Sequence, residues 1–232
     1  MVNIRENLAR LREEIRTAAK RSGRREEDIL FVAVTKTRPV EDIIEAVRWG
    51  VTAVGENRVQ ELLEKKARWP ENISVRWRLI GHLQKNKVRK VFGEVSSVDS
   101  VDSLDLAKRL SAEGERTGRV LPVLVEVNTS GEETKMGLLP GEALPARGKI
   151  IGECPFLSVE GLMTIGPLTE DEARVRRSFA SLRELAEKAR REFSLPLPEL
   201  SMGMSGDFSW AIEEGSTMVR IGSALFGERR GT

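Results

Sequence analysis

The chain has 232 residues with 38 basic and 36 acidic side chains, so its net charge is only +2 and does not by itself indicate a nucleic-acid partner. Its single cysteine, Cys154, excludes an intrachain disulfide and a Cys/His zinc cluster, while one histidine and no tyrosine exclude mechanisms that need a tyrosine base or a histidine pair. No apolar run reaches the roughly 20 residues of a membrane span, and the charged N-terminus lacks a signal-peptide core, so we expect a cytoplasmic protein without membrane contact.

Apolar residues at helical spacing predict an amphipathic opening helix over residues 3–21. Short apolar runs then alternate with helical patterns to the end of the chain. The predicted strands are 29–35, 51–54, 77–80, 95–98, 122–127, 159–165, 200–204 and 218–221. Helices are predicted from Pro39 to Gly50, through Leu62 and Ala67 to Pro70, and over 86–92, 104–113, 170–192 and 208–214. Between 138 and 156, by contrast, prolines and glycines interrupt the helical pattern.

Strict strand–helix alternation is typical of an α/β protein with a parallel sheet. About eight such units follow the opening helix, and neither a linker nor a longer repeat interrupts them. The sequence therefore predicts a single (β/α)8 TIM-type barrel with an extra N-terminal helix, as one domain over residues 1–232.

Lys36 directly follows the first apolar strand, at the carboxyl edge where such barrels keep their ligands. A lysine placed there has a pKa that falls readily on burial, which frees its amine for a Schiff base. The alternative is a strand-end lysine that points into solvent. The segment alone does not separate these two interpretations.

Small residues follow strands 7 and 8, where barrels often bind phosphate. Ser205 and the backbone of Gly222 and Ser223 are the candidate anion ligands, because small residues let peptide N–H groups approach an anion. The alternative is that these residues form helix caps and tight turns, where Ser and Gly are common.

Arg220 lies inside a short apolar strand, where a buried guanidinium needs a partner. That partner is either a carboxylate in a structural bridge or an uncharged acceptor such as a pyridine nitrogen. Asn57 is either a helix cap or a ligand-binding amide, and His82 is either a satisfied loop histidine or a site residue. Met163 and Met204 are most simply barrel packing, with lining of a ring-shaped ligand as the alternative.

Six ordered motifs resemble the pyridoxal phosphate homeostasis proteins, also called the PROSC or YggS-type family. The resemblance extends from about Asn3 to Arg229. The motifs are AVTKT at 33–37, GENRVQE at 55–61, WRLIGHLQKNK at 77–87, GLMTIG at 161–166, SMGMSGDF at 201–208 and VRIGSALFGER at 219–229.

This resemblance implies a barrel similar to the N-terminal domain of alanine racemase, with pyridoxal 5′-phosphate as cofactor. It implies that Lys36 forms the internal aldimine and that Arg220 faces the pyridine nitrogen. Ser205, Gly222 and Ser223 are then expected to hold the phosphate. The remaining residues expected to line the site are Asn57, His82, Met163 and Met204.

The favoured hypothesis is a reversible carrier that buffers this cofactor or delivers it to apo-enzymes, without a catalytic residue of its own. An arginine keeps its proton, so the pyridine nitrogen facing it stays unprotonated and is a poor electron sink. The related racemases also use a tyrosine from a partner's C-terminal domain, and this chain has no tyrosine and ends about where its barrel ends. The alternative is a low-activity amino-acid racemase with His82 as second base. A nucleic-acid site on the 85–90 basic cluster is the least favoured hypothesis, and we expect a monomer.

Overall fold

The computed structural model describes residues 2–193 and 197–228, in which helices and strands alternate along the chain. The strands are β1 Leu30–Val34, β2 Ala53–Glu56, β3 Arg76–Leu79, β4 Ser97–Val101, β5 Leu121–Glu126, β6 Leu157–Met163, β7 Glu199–Ser201 and β8 Met218–Ile221. The helices are α1 Ile4–Arg21, α2 Val40–Arg48, α3 Val59–Ala67, α4 Val88–Val91, α5 Leu104–Thr117, α6 Pro140–Glu153, α7 Glu172–Phe193, α8 Phe208–Glu213 and α9 Ser223–Phe226. Short 3-10 turns cover Glu26–Asp28 and Lys85–Lys87.

The eight strands close into a parallel barrel in chain order. Closure is made by β1 and β8, which pair from Leu30 opposite Met218 to Ala33 opposite Ile221. Because every strand runs in the same direction, the loops that follow the strands all open at one mouth. The predicted (β/α)8 fold with an additional N-terminal helix is confirmed.

The opening helix α1 covers the outside of the barrel near its closure. The Asn3 side chain caps the helix by accepting the Glu6 backbone N–H at 3.1 Å. Its apolar stripe, which includes Leu8 and Leu11, is buried, and the helix lies against α8 and α9. No helix in the described ranges is both long and apolar enough to span a bilayer.

The barrel interior is filled, so the mouth has a floor. Apolar side chains of five strands pack inside it: Val32, Ala53, Leu124, Met163 and Met218. Nearer the amino ends of the strands, the Arg78 guanidinium donates to Asp99 Oδ2 at 2.7 Å and to Glu199 Oε2 at 2.6 Å. Burial lowers the pKa of Arg78, but these two carboxylates raise it more, so the net shift is upward. The packed interior therefore separates the mouth from the amino ends of the strands.

The segment after β5 forms a regular helix despite its prolines. In α6, Pro140 occupies the first turn, where its missing N–H costs nothing. Pro145 lies farther inside and removes one backbone hydrogen bond. Ala143, Leu144 and Ile150 nevertheless recur at helical spacing and are buried against the rest of the barrel. Burial of this face therefore outweighs the local helix-breaking tendency of the prolines and glycines. The sequence pattern alone did not show this outcome.

Two glycines give a matched test of how tightly the barrel is packed. An ideal Cβ on Gly161 in β6 would lie 1.8 Å from the Glu199 carbonyl oxygen, whereas a Cβ on Gly148 in α6 would meet nothing within 4 Å. We expect Gly161→Ala to lower the free energy of unfolding by at least about 3 kcal/mol, because backbone must move. We expect Gly148→Ala to raise it by about 0.5–1 kcal/mol, because alanine restricts the unfolded chain. Urea unfolding checks both, and equal effects would contradict the described β6–β7 approach.

Candidate functional site at the barrel mouth

Lys36 lies at the barrel mouth, in a cavity of about 270 Å³ that we call the lysine cavity. Its volume is close to the lower end of the range of about 300–1,000 Å³ typical of small-molecule sites. The elements around it are the turns after β1, β7 and β8. Its lining residues are Val34, Lys36, Arg38, Met204, Ser205, Gly206, Arg220, Gly222 and Ser223.

A buried polar network holds the residue before Lys36. The Thr35 hydroxyl donates to Glu56 Oε1 at 2.5 Å, and the Lys65 ammonium donates to the Thr35 carbonyl and to Glu56 Oε1, both at 2.6 Å. Burial raises the pKa of Glu56, although the hydrogen bonds from Lys65 and Thr35 oppose this shift. The end of β1 is therefore tied to β2 and α3 at the point where Lys36 leaves the strand.

The residue after Lys36 is held by the same network. The Thr37 backbone N–H donates to Glu61 Oε1 at 2.5 Å, and this oxygen also accepts from the Lys65 ammonium at 2.7 Å. Thr37 has a φ of +62°, a left-handed conformation that costs a β-branched residue on the order of 1–3 kcal/mol. Strain of this kind persists where surrounding contacts impose it, and here it bends the chain so that Lys36 lines the cavity.

Backbone amides and a hydroxyl form one wall of the lysine cavity. The N–H groups of Gly222 and Ala224 both donate to Ser205 Oγ at 3.3 Å. Both bonds are long for N–H···O contacts, so an anion with stronger acceptor oxygens would be a better partner for these amides. A Cβ on Gly222 would lie 3.2 Å from the Val34 carbonyl oxygen, so a larger residue would crowd this approach. Ser223 follows as the first residue of α9 and completes the wall.

Arg220 projects from β8 into the barrel and is only 4% exposed. Its guanidinium donates to Ser201 Oγ at 2.7 Å and to the Thr164 carbonyl at 2.8 Å, so both described partners are uncharged. Burial lowers the pKa of Arg220, while surrounding carboxylates oppose that shift: Asp99, Glu126 and Asp207. Of the two interpretations left open by the sequence, the described hydrogen bonds favour a guanidinium among neutral acceptors.

A second cavity of about 280 Å³ opens at the same mouth, and we call it the Glu126 cavity. The Glu126 side chain leaves the end of β5 and is 5% exposed. Burial raises its pKa to about 7, with a further rise from Asp102, while Arg220 and His82 lower it. The cavity is lined by Asn57, Ile80, Gly81, His82, Glu126, Val127, Asn128, Thr134, Lys135, Met136 and Ile165.

The predicted site residues divide among three places. The lysine cavity brings together Lys36, Met204, Ser205, Arg220, Gly222 and Ser223. Asn57 and His82 line the Glu126 cavity instead, and the half-exposed His82 ring is hydrogen-bonded through Nδ1 to Asp102 at 3.0 Å. Met163 packs in the barrel interior beneath the mouth.

Glu126 is a charged residue of the mouth that sequence reasoning missed. It lies near the end of the cleanest apolar run of the chain, from Pro122 to Val127, and is read from the sequence as part of that strand. A carboxylate in a strand buried on both faces is as unusual as the arginine in β8. The criterion applied to Arg220 would therefore have identified it.

The sequence and fold comparisons agree on one family. The family model for the alanine racemase N-terminal domain matches residues 6–230. The pyridoxal phosphate homeostasis protein of Aquifex aeolicus is 44% identical over 229 residues, which are 99% of this chain and 100% of that protein. The human protein of the same name is 43% identical over 210 residues, covering 86% of this chain and 76% of its own length.

Solved structures show the same similarity. PipY of Synechococcus elongatus PCC7942 without PLP has a TM-score of 0.87 and 34% identity, and covers 97% of this chain and 100% of its own. The same protein with PLP bound has a TM-score of 0.84 and 33% identity over the same shares. An alanine racemase of Clostridium difficile, at 18% identity and a TM-score of 0.77, shares the fold over 56% of its length.

The raised pKa of Glu126 makes stability depend on pH in a defined direction. Its pKa rises from 4.5 in the unfolded chain to about 7 in the folded protein, so ionisation destabilises the fold. This cost is absent well below the unfolded pKa, grows as the pH rises, and is complete above the folded pKa. In urea unfolding, we expect the free energy of unfolding of Glu126→Gln, relative to that of wild type, to increase by about 2–3 kcal/mol from pH 5 to pH 8.

The exposed Glu133 on the following loop supplies the control, because Glu133→Gln makes the same chemical change outside the barrel. We expect the Glu133→Gln variant to have the same stability as wild type at pH 5 and at pH 8. If the stability difference between Glu126→Gln and wild type were the same at pH 5 and pH 8, this would contradict a buried carboxyl that titrates near neutrality.

Proposed function

The chain belongs to the family of pyridoxal phosphate homeostasis proteins, and on that premise we propose that it binds pyridoxal 5′-phosphate reversibly and buffers or delivers it. The observation that carries the proposal is the composition of the lysine cavity. One space of about 270 Å³ is lined by a lysine amine, by a guanidinium and by a wall of backbone amides. These groups match the aldehyde, the pyridine nitrogen and the phosphate of this cofactor.

We assign one role to each wall of the lysine cavity. The Lys36 amine would bond to the aldehyde, whose carbon supplies a reversible covalent link to amines. Arg220 would donate to the pyridine nitrogen, an uncharged acceptor like its described partners. Ser205, Gly222 and Ser223 would bind the phosphate. In the same wall, the Gly222 and Ala224 amides donate to the Ser205 hydroxyl in long hydrogen bonds, so a phosphate oxygen would be a stronger acceptor for them.

The remaining predicted ligands are assigned by position. Met204 lines the lysine cavity and is 38% exposed, so it would cover a ring from the solvent side. Asn57 and His82 would border the cofactor from the Glu126 cavity. Met163 would contribute to the floor beneath it.

Two features favour a carrier over an enzyme. A guanidinium keeps its proton under all ordinary conditions, so the pyridine nitrogen opposite it would stay unprotonated and withdraw electrons weakly. Racemisation also needs an acid/base on each face of the substrate, and the candidate second base, His82, lies outside the lysine cavity in a hydrogen bond with Asp102. We therefore propose PLP-dependent apo-enzymes as recipients, and a monomer remains our expectation.

A single substitution tests the covalent attachment. Lys36→Ala removes the amine, so we expect the variant to lose the visible absorbance band that wild type acquires with pyridoxal 5′-phosphate. Wild type treated with borohydride is expected to retain the cofactor through denaturation, because reduction makes the bond permanent. Lys85→Ala, which removes an exposed lysine paired with Asp105, is the matched control and should behave as wild type.

Catalysis is tested on the same preparations. With L-alanine in deuterated water, we expect no exchange of the α-proton above that of free cofactor. Exchange by wild type that is lost in His82→Ala would replace the carrier proposal with a racemase. A visible band retained in Lys36→Ala would overturn the assigned attachment.

A further inference from the structure

Two residues that line the Glu126 cavity carry acceptor oxygens without a hydrogen-bond donor among the described residues. Glu126 as a whole residue is only 5% exposed, and no hydrogen bond to its carboxylate occurs among the described residues. Asn57 Oδ1, on the wall from β2, is likewise buried and has no partner within the described part of the chain. An acceptor that is shielded from water and has no donor destabilises the fold, so a cavity shared by two such groups is a site for a donor.

Neighbouring residues do not explain this carboxylate as a structural ion pair. Arg220 is a cation inside the barrel whose charge acts on Glu126. Its described hydrogen bonds, however, go to Ser201 and Thr164 and not to Glu126. Of the other charged groups that act on Glu126, Asp102 has the same sign and His82 is hydrogen-bonded to Asp102. Lys135 also lines the cavity, but its ammonium donates to the Gly166 carbonyl and pairs with Glu132. Among the described residues, no cation is therefore hydrogen-bonded to Glu126.

The chemistry of the missing ligand follows from these acceptors. An ionised carboxylate and an amide oxygen accept hydrogen bonds, so they fit a group that is cationic and rich in donors. A metal ion is a weaker match, because no group of three or more His, Cys, Asp or Glu suited to a metal occurs in the described ranges. An ammonium carries three donors and one charge, so it matches both a carboxylate and an amide oxygen.

We propose that the Glu126 cavity binds the primary ammonium group of a small amine or amino acid, with Glu126 and Asn57 as its acceptors. The binding site stands on the geometry of the mouth alone. Its consequence rests on the proposed function: an amine held beside the lysine cavity belongs to the same chemical class as Lys36 and can compete with it for an aldehyde. The ligand of this cavity would then promote release of the cofactor.

The test uses cofactor-free wild-type protein and ligand-observed NMR titrations with isopropylamine, L-alanine and propionate. We expect isopropylamine and L-alanine to bind and propionate, which lacks the ammonium, not to bind. Glu126→Gln keeps the shape but removes the charge, and should weaken isopropylamine binding by about tenfold or more. Glu133→Gln is the matched control and should leave it unchanged, because Glu133 is exposed on the loop after β5.

Propionate binding as strong as that of isopropylamine would overturn the proposal, and so would unchanged isopropylamine binding in Glu126→Gln. Should that variant not fold, the wild-type comparison of isopropylamine with propionate decides the question. A second arm measures release from protein loaded with pyridoxal 5′-phosphate, which isopropylamine should accelerate in wild type more than in Glu126→Gln. Failure to load would overturn the proposed function and leave the first arm intact, while loading without any effect of isopropylamine would overturn the release role.

Discussion

The Arg220 guanidinium keeps its charge inside the barrel, where an unsatisfied charge would cost several kcal/mol. Its hydrogen bonds run from β8 to the Ser201 hydroxyl at the end of β7 and to the Thr164 carbonyl after β6. One side chain thereby links the last three strands at the level where they open into the mouth. Carboxylates at longer range support the charge without bonding to it, which leaves the guanidinium suited to an additional neutral acceptor.

The opposite side of the mouth is organised by a second buried network. Lys65 and Glu56 fix the carbonyl and hydroxyl of Thr35, and Glu61 fixes the strained Thr37. Lys36 lies between these two threonines, so its backbone has little freedom while its side chain lines the cavity. This combination suits a lysine that forms a reversible covalent bond and must return to the same position after each release of its ligand. In the proposed function, Arg220 would lie opposite the pyridine nitrogen and weaken the electron demand of the ring, which would separate binding of the cofactor from catalysis with it.

The sequence predicted the barrel well because its rule is local: an apolar run of four to seven residues alternates with an amphipathic helix. It also placed Lys36, Ser205, Arg220 and Gly222 at one mouth, because parallel strands bring their carboxyl ends together. It did not show α6, since burial of Ala143 and Ile150 against the barrel outweighs Pro145. It did not divide the mouth into two cavities either, because the residues that line the Glu126 cavity extend from Asn57 to Ile165 and only the fold brings them together.

The most direct test of the central claim is to locate the covalent bond on the protein. Wild type is incubated with pyridoxal 5′-phosphate, reduced with borohydride, digested and analysed by peptide mass spectrometry. The account predicts one dominant reduced adduct, on the peptide that contains Lys36. An adduct mainly on other lysines, or none at all, would contradict it.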